Sequence, residues 1–434
     1  MTTEAVEPDF DVIVVGAGVA GCVTAYRLAE TGRSVVLIER GEAPGSKNLS
    51  GGVLYSRVME EVFPDFLTQA PVERRITRNY VQFLNSTSSV GIDYQDSRLS
   101  DPVNAVTVLR ARLDAWLGEK CEEAGVFLMP GVRVDEVLTE DGKVVGVRAG
   151  DDELRAHVVV AADGVNSFLA RAAGLRPQEP TNHLALGVKA VVSLPAATIE
   201  ERFRCAGDEG VAYAVVGDCT LGIGGGGFLY TNRDSISVGV VLRLDDLVAK
   251  GVPSSEVFEH FLTHPFVAPL LAGGEVSEYA SHLVAEGGLD MVREITTDGM
   301  VVVGDAAGLT LNTGLTVRGM DLATASGIAA ATGIEAALAA GDTSKAGLAG
   351  YRTALTASFA GQDMQTYAKA PAFLERERMY EQYGSLLADI MYGAFDHDLR
   401  PRRHLRDVAR RAFKRSPVRL RDLLSDGLAG VRAL

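Results

Sequence analysis

One stretch near the start constrains everything that follows. Asp11-Val-Ile-Val-Val15 runs directly into Gly16-Ala-Gly18-Val-Ala20-Gly21, and a helical pattern of small and apolar residues begins at once. The spacing predicts strand, tight turn and helix. Gly16 permits the turn, Gly18 lets bare backbone approach a pyrophosphate with Ala20 beside it, and Gly21 allows helix to pack closely on strand. The helix N-terminus adds free amides and a positive dipole end. A glycine fingerprint alone is a weak signal, and the second strand supplies its context. Gly32 to Ile38 is strand-like and ends on Glu39, 23 positions after Gly16, where a carboxylate accepts hydrogen bonds from adenosine ribose hydroxyls. The chain therefore opens with a dinucleotide-binding βαβ unit.

Two later strand ends repeat that logic. His157 to Ala162 is apolar and stops at Asp163-Gly164, placing a carboxylate and bare backbone where ligands of open α/β sheets bind. Gly299 to Val303 stops at Gly304-Asp305, and the segment through Gly314, Leu315 and Thr316 leads into a long helix of small residues. Asp305 is placed either to accept hydrogen bonds from a sugar-alcohol chain or simply to cap a helix. Helix amides near Gly314 to Thr316 would face an electron-rich ring and stabilise negative charge on it.

Between these anchors the pattern changes. Arg40 to Gly52 is a polar, glycine-rich loop containing Lys47 and Asn48, expected to pass back over a cofactor. Val53 to Phe66 has helical spacing, while Asn79 to Phe83 and Ser89 to Tyr94 alternate like strands of a second lobe. Val106 to Leu109 leads into a helix from Arg110 through Ala124, then a strand at Val126 to Met129. Val132 to Leu138, Lys143 to Arg148 and Glu153 to Ala156 read as a β-meander with Asp-Gly and Gly-Asp turns. Ala185 to Leu194 and Val211 to Leu242 are strand-rich, and the latter contains Gly222 and Gly224 to Gly227. These glycines mark a bulge, a close backbone approach to a ligand, or a flexible hairpin tip. Val257 to Leu271 reads as helix; its His260 and His264 lack the acid and third ligand of a metal site and are expected at the surface or in packing.

Composition narrows the remaining classes. With 434 residues, two or three lobes are expected, and the acidic, polar N-terminus has no secretory pattern, which points to the cytosol. The most apolar segments are short or, like Ala323 to Ala340, rich in Ala and Gly and interrupted by Glu335, so no transmembrane helix is expected. Four dispersed cysteines, Cys22, Cys121, Cys205 and Cys219, offer no local iron–sulfur set, and any such one-electron relay must sit on another chain. Net charge is −15, yet residues 400–434 carry eleven Lys or Arg against three Asp, leaving +8 there and −23 elsewhere. Such a tail either docks on an anionic membrane face or an acidic partner, or clamps onto the chain's own acidic body. Nucleic acid would be repelled by that body.

The glycine fingerprint with Glu39, Arg110 four before Asp114, Asp163-Gly164 and Gly304-Asp305 together resemble FAD enzymes of the p-hydroxybenzoate hydroxylase or glutathione reductase type. More narrowly, Arg40-Gly41 with Gly45-Ser-Lys47-Asn48, Gly224-Gly-Gly-Gly-Phe228-Leu-Tyr-Thr-Asn232 and Thr316-Val-Arg318-Gly-Met-Asp321 resemble the FixC family, related to electron transfer flavoprotein:quinone oxidoreductase. This resemblance extends across the chain to the basic tail. It implies an α/β fold: a Rossmann-type FAD-binding domain, an inserted mixed β-sheet domain and a helical C-terminal region. The expected segments are 1–80, 105–182 and 291–345 for FAD, 81–104 and 183–290 for the second lobe, and 346–434 for the helices.

The same resemblance implies residue roles. Gly16, Gly18, Ala20 and Gly21 take the pyrophosphate of FAD, Glu39 the adenosine ribose, and Arg110 the phosphate or ribityl region. Val134 touches adenine through its backbone and Asp305 binds the ribityl chain, with Asp163, Gly164 and Gly304 at the strand ends. Gly314, Leu315 and Thr316 face the pyrimidine end of the flavin, and Arg40, Lys47, Asn48 and Gly52 lie along the cofactor and flavin edge. No general base is assigned, because electron transfer needs proximity and a tuned potential. The implied donor is an electron transfer flavoprotein (FixAB-like) and the implied acceptor a quinone. The longer quinone oxidoreductases carry a four-cysteine ferredoxin-like domain; in the FixC arrangement that role falls to a separate ferredoxin-like protein (FixX-like). Placement on the inner face of a membrane is part of this expectation. The alternatives are a flavin reductase of isoprenoid double bonds, as in the geranylgeranyl reductases, a NAD(P)H-dependent flavin monooxygenase, and a flavin-binding scaffold.

Overall fold

The computed structural model describes residues 7–48 and 51–434. The first six residues of the acidic N-terminus, and Leu49 and Ser50 of the glycine-rich loop, lie outside the described residues. The chain opens with β1 (Phe10–Val15), the helix Val19–Glu30 and β2 (Val35–Glu39), then crosses to a second sheet for β3 (Gly51–Leu54), β4 (Val72–Asn85), β5 (Ser88–Gln95) and β6 (Val106–Leu109). The helix Arg110–Glu123 brings it back to β7 (Phe127–Pro130), β8 (Glu136–Glu140), β9 (Lys143–Ala149) and β10 (Asp152–Ala161). A second crossing lays down β11 (Leu184–Ser193), β12 (Glu209–Gly217), β13 (Gly225–Thr231), β14 (Ser235–Arg243) and β15 (Glu275–Ala285). The last return gives β16 (Thr296–Thr297), β17 (Met300–Val302) and a small hairpin of β18 (Leu311–Asn312) and β19 (Val317–Arg318). Helices fill the rest, from Met320–Ala340 to Leu420–Ala433.

The first sheet has the order β16-β17-β10-β1-β2-β7, with β17, β10, β1, β2 and β7 parallel to one another. Its central strands are buried on both faces, which is why Val12, Ile13, Val14 and Val158 to Val160 form unbroken apolar runs. The helices Val19–Glu30 and Met320–Ala340 cross on one side, and Gly327 permits it, since a Cβ there would lie 2.9 Å from the Ala20 carbonyl. The Met320–Ala340 helix is long and apolar enough to cross a membrane, but 67% of its most apolar stretch is buried inside the protein.

The second sheet is mixed, ordered β15-β11-β14-β13-β12-β4-β6-β3, with β5 hairpinned onto β4. Tertiary pairing overrode several local readings. Val53 belongs to β3, which pairs with β6 from Gly51 opposite Leu109, so the helix expected over Val53 to Phe66 shrinks to the single turns Arg57–Glu60 and Phe66–Gln69. The expected segment boundary at residue 80 falls inside β4, and β6 joins the second sheet rather than the first. The strand pieces at Glu153 to Ala156 and His157 to Ala162 are one strand: β10 pairs antiparallel with β9, then parallel with β1 and β17. The Val257 to Leu271 helix divides at Pro265 into Ser254–Thr263 and Ala268–Leu271. Strand β15 had no sequence signal as an edge strand, because its exposed residues mix polar side chains with Val276 and Tyr279 and lack a clean alternation.

Candidate functional site

Most of the expected site residues, all but Gly21, Gly304 and Thr316, line one cavity of about 780 Å³ between the carboxyl ends of the first sheet, a face of the second sheet and the C-terminal helices. At the end nearest β1 the fingerprint turn is locked. Gly16 has φ of +108°, and a Cβ there would sit 2.3 Å from the Ala162 carbonyl. Gly18 is the N-cap of Val19–Glu30, no side chain caps that helix, and Gly18 and Ala20 line the cavity. Gly21 and Gly304 serve packing instead: a Cβ on Gly21 would meet the Gly16 carbonyl at 1.9 Å, and one on Gly304 would meet the Ala20 side chain at 2.8 Å. Glu39 lines the cavity while its carboxylate accepts hydrogen bonds from the Ala17 amide at 2.9 Å and the Gly41 amide at 2.7 Å. That double bond ties the glycine turn to the end of β2.

Arg110 stands at the start of its helix and donates two 2.7 Å hydrogen bonds to the buried Asp114 carboxylate. The Asn48 amide donates to the same carboxylate at 2.9 Å, so loop and helix share one anchor. Arg40 and Lys47 are exposed along the rim, and Gly52 faces the Met320 methyl group. Val132 to Asp135, expected as strand, is irregular and runs along the cavity with Val134 in its wall. Asp163 also lines it: one carboxylate oxygen accepts the Leu169 amide at 3.0 Å, while Oδ1 is buried without a partner among the described residues. Gly164 follows with φ of +76°. Asp305 caps nothing, because the long helix begins only at Met320. Its carboxylate accepts no hydrogen bond among the described residues; burial pushes its pKa up, against the opposing pull of Arg110 and Lys189.

The segment 314–316 departs from expectation. Gly314, Leu315 and Thr316 form the tip of the β18–β19 hairpin and do not open a helix. The Gly314 amide donates to Asn312 Oδ1 at 2.8 Å and the Thr316 amide to Thr313 Oγ1 at 3.2 Å, so neither is free. Gly314 and the 64% exposed Leu315 still line the cavity, whereas Thr316 does not. A two-stranded turn replaces the helix start because Leu311 pairs with Arg318, and Arg318 is held at Asp321 and Asp363.

Several cavity residues carried no sequence signal. Lys189 faces it from β11, and burial followed by repulsion from Arg110 lowers its pKa to about 8. Glu286 follows β15 and accepts a 3.0 Å hydrogen bond from Asn312 Nδ2; burial, against that bond, pushes its pKa up to about 7. Tyr380 and Arg243 lie at the same end, and Arg243 Nη1 is buried with no partner among the described residues although Asp245 and Asp246 hold its other nitrogens. The glycine cluster is the start of central strand β13, not a hairpin tip. Gly224 to Gly227 present bare backbone to the cavity, and Gly227 is required on the other side, where a Cβ would lie 2.7 Å from the Phe261 ring. Phe228 stacks on Tyr230 in the cavity wall, while Ile223 and Leu229 are core. His260 bonds to Asp218 and His264 to the Asn85 carbonyl, both at 2.7 Å.

The cavity thus offers bare backbone at a helix N-terminus, a carboxylate at the end of β2, a fixed guanidinium and the unpartnered Asp305, a donor and acceptor set that fits an extended dinucleotide. Comparison with known proteins agrees. Residues 9–217 match an FAD binding domain, and residues 370–434 match the C-terminal domain of the ETF-QO/FixC family. The chain is 46% identical over 428 residues, 98% of its length and 99% of the relative's, to the probable electron transfer flavoprotein-quinone oxidoreductase YdiS of Escherichia coli (strain K12). It is 44% identical over 434 residues to Protein FixC of Salmonella typhi, covering 99% of this chain and 100% of that one. Among solved structures, a geranylgeranyl bacteriochlorophyll reductase-like protein from Thermoplasma acidophilum matches with a TM-score of 0.72 at 20% identity, covering 96% and 98% of the two chains. PqsL, a probable FAD-dependent monooxygenase from Pseudomonas aeruginosa, matches with a TM-score of 0.60 at 19% identity over 86% of this chain and 98% of that one; both likenesses are of fold. Full-length relatedness, the two matched domains and the cavity's chemistry lead to one conclusion: the chain belongs to the ETF-QO/FixC family and is an FAD-dependent oxidoreductase.

Proposed function

We propose that this protein accepts electrons from a reduced electron transfer flavoprotein and passes them to a quinone, in company with a separate ferredoxin-like protein. The observation that carries the reading is the continuity of the cavity. It runs from the glycine turn past Asp305 to Phe228, Tyr230, Phe373, Leu374, Met379 and Leu434, a polar end joined to an apolar and aromatic one. FAD, when bound, supplies the redox chemistry. This chain's residues hold and orient it: Gly16, Gly18 and Ala20 at the pyrophosphate, Glu39 at the adenosine ribose, Val134 and Asp163-Gly164 along the adenosine side, Arg110 and Asp305 at the phosphate and ribityl regions. At the hairpin tip the amide without a partner among the described residues is that of Leu315, since Gly314 donates to Asn312 and Thr316 to Thr313. Asn48 positions Arg110 through Asp114.

The apolar end opens beside the Leu420–Ala433 helix, where Leu420, Leu424, Leu428 and Val431 are exposed. Leu387, Met391, Tyr392 and Phe395 are exposed on the nearby Tyr383–Phe395 helix, and the strongly basic Leu405–Arg415 helix packs against it. This combination supports peripheral binding at the inner, anionic face of a membrane, from which a lipid-soluble acceptor enters.

The test is stopped-flow reduction of the FAD-loaded protein. Reduced electron transfer flavoprotein should bleach the flavin rapidly, and NADH and NADPH should do so slowly. Fast reduction by a nicotinamide would overturn the reading in favour of a reductase or monooxygenase.

A further inference from the structure

A carboxyl group without a cationic partner, placed inside a redox cavity, calls for an explanation. Glu286 is that group. It lines the cavity at its apolar end, and among the described residues its one side-chain hydrogen bond comes from Asn312, whose carbonyl oxygen is in turn fixed by the Gly314 amide. The Glu286 amide is bonded to the His183 carbonyl at 2.8 Å, so the residue is anchored at both backbone and side chain. Two further polar groups share this end. The Tyr380 hydroxyl donates to the Leu374 carbonyl and lies within electrostatic reach of both Glu286 and Arg243, and Arg243 keeps one buried nitrogen without a partner among the described residues. Beside them lies the backbone of Gly224 to Gly226, where the Gly224 carbonyl accepts the Arg243 amide at 2.7 Å.

We propose that Glu286 is the proton donor to the oxygen of the quinone reduced in this cavity, with Arg243 and Tyr380 beside it at the same end. The proposal rests on the quinone reading above. Converting a quinone to a quinol consumes two electrons and two protons. The electrons come from the reduced flavin, one proton leaves the Glu286 carboxyl to form an O–H bond, and the second enters from solvent. Glu286 is left as a carboxylate and is reprotonated from water through the cavity mouth, which its half-buried position permits.

The surroundings favour this cycle. Asn312 from β18 donates to the carboxyl, Tyr380 lies within electrostatic reach of it on the Arg378–Glu381 helix, and Arg243 and Asp246 act on Tyr380. Among the described residues no cation pairs with Glu286, and burial lifts its titration to about neutrality, where an acid both gives and regains a proton readily. Other carboxyl groups lining the cavity are differently placed: Glu39 accepts two backbone amides, Asp163 accepts the Leu169 amide, and Asp305 lies under the pull of Arg110 and Lys189.

The experiment compares two acceptors on the FAD-loaded full chain reduced by its donor: decylubiquinone, which needs protons, and ferricenium, which takes an electron alone. In Glu286→Gln, which keeps an acceptor for Asn312, the decylubiquinone-to-ferricenium rate ratio should fall about a hundredfold. In Glu286→Ala, formate should restore part of it. Infrared titration of the wild-type protein should show a protonated carboxyl band lost near neutral pH and missing from Glu286→Gln. An unchanged ratio in Glu286→Gln, or no such band in the wild type, would overturn the assignment while leaving quinone reduction intact. A wild-type protein that reduces ferricenium and no quinone would overturn both readings.

Discussion

Gly16 and Gly18 sit two positions apart in one fingerprint yet answer to different constraints. At Gly16 the backbone has φ of +108° and a Cβ would strike the Ala162 carbonyl, so Gly16→Ala should destabilise the fold itself. A Cβ at Gly18 meets nothing nearer than Arg110 at 3.7 Å. Gly18→Val should therefore give a folded protein purified without flavin absorbance, checked by circular dichroism beside the visible spectrum. Full flavin content in Gly18→Val would remove the phosphate assignment. Glu286 makes a second prediction, in pH. Its folded pKa of about 7 lies above an ordinary carboxyl, so ionisation costs the native state stability as pH rises through that interval. Glu286→Gln should match the wild type near pH 4 and exceed it above pH 7, by at most about 3 kcal/mol, in urea titrations of the flavin-free protein. Glu39 was legible in sequence because it ends a strand at a fixed distance from the glycines. Lys189 and Glu286 were not, because a polar residue in an alternating strand, or just after one, reads as solvent-facing until the opposite wall of the cavity is in place.

The β18–β19 hairpin shows how one element redirects a site. Sequence placed a helix start at Gly314 to Thr316; the structure places a turn there, stitched by Asn312 and Thr313 side chains. Asn312→Ala removes both the Gly314 and the Glu286 bond. It should cost about 1–3 kcal/mol in denaturant midpoint and loosen the tip enough to raise the FAD dissociation constant. An unchanged dissociation constant would mean the tip does not touch the cofactor. β10 makes the complementary point. Its local pattern reads as two strands because its first half meets an antiparallel arm and its second half a parallel sheet, each with its own burial. Strand β3 lost its helical spacing to pairing with β6, since four residues gain more from a ladder than from an isolated turn.

Across the molecule, the C-terminal helices join the cavity to the surface. The Leu420–Ala433 helix is fastened through its own acid: Asp426, 3% exposed at its side chain, is bound by Arg376, Arg378 and Tyr383, and these partners hold its pKa well below the usual carboxylate range. Basic groups outside the tail thus grip an acidic tail group, the reverse in sign of the clamp that is one of the two readings of its charge, and most tail cations remain at the surface. If those cations and the neighbouring apolar side chains meet a membrane, reversing Arg410, Arg411 and Lys414 to Glu should abolish cosedimentation with anionic vesicles. Flavin content should be retained, and binding that persists would place the contact elsewhere. By itself, the sequence determined the dinucleotide fold and the strand-end residues that line the cavity, because each depends on local spacing of glycine, apolar runs and a terminal acid, and its longer motifs carried the resemblance to the family. Only the tertiary structure decided which polar groups share the cavity's far end, that Gly314 begins no helix, and that the tail is held by Asp426, because burial and hydrogen-bond partners arise only when segments hundreds of residues apart are brought together.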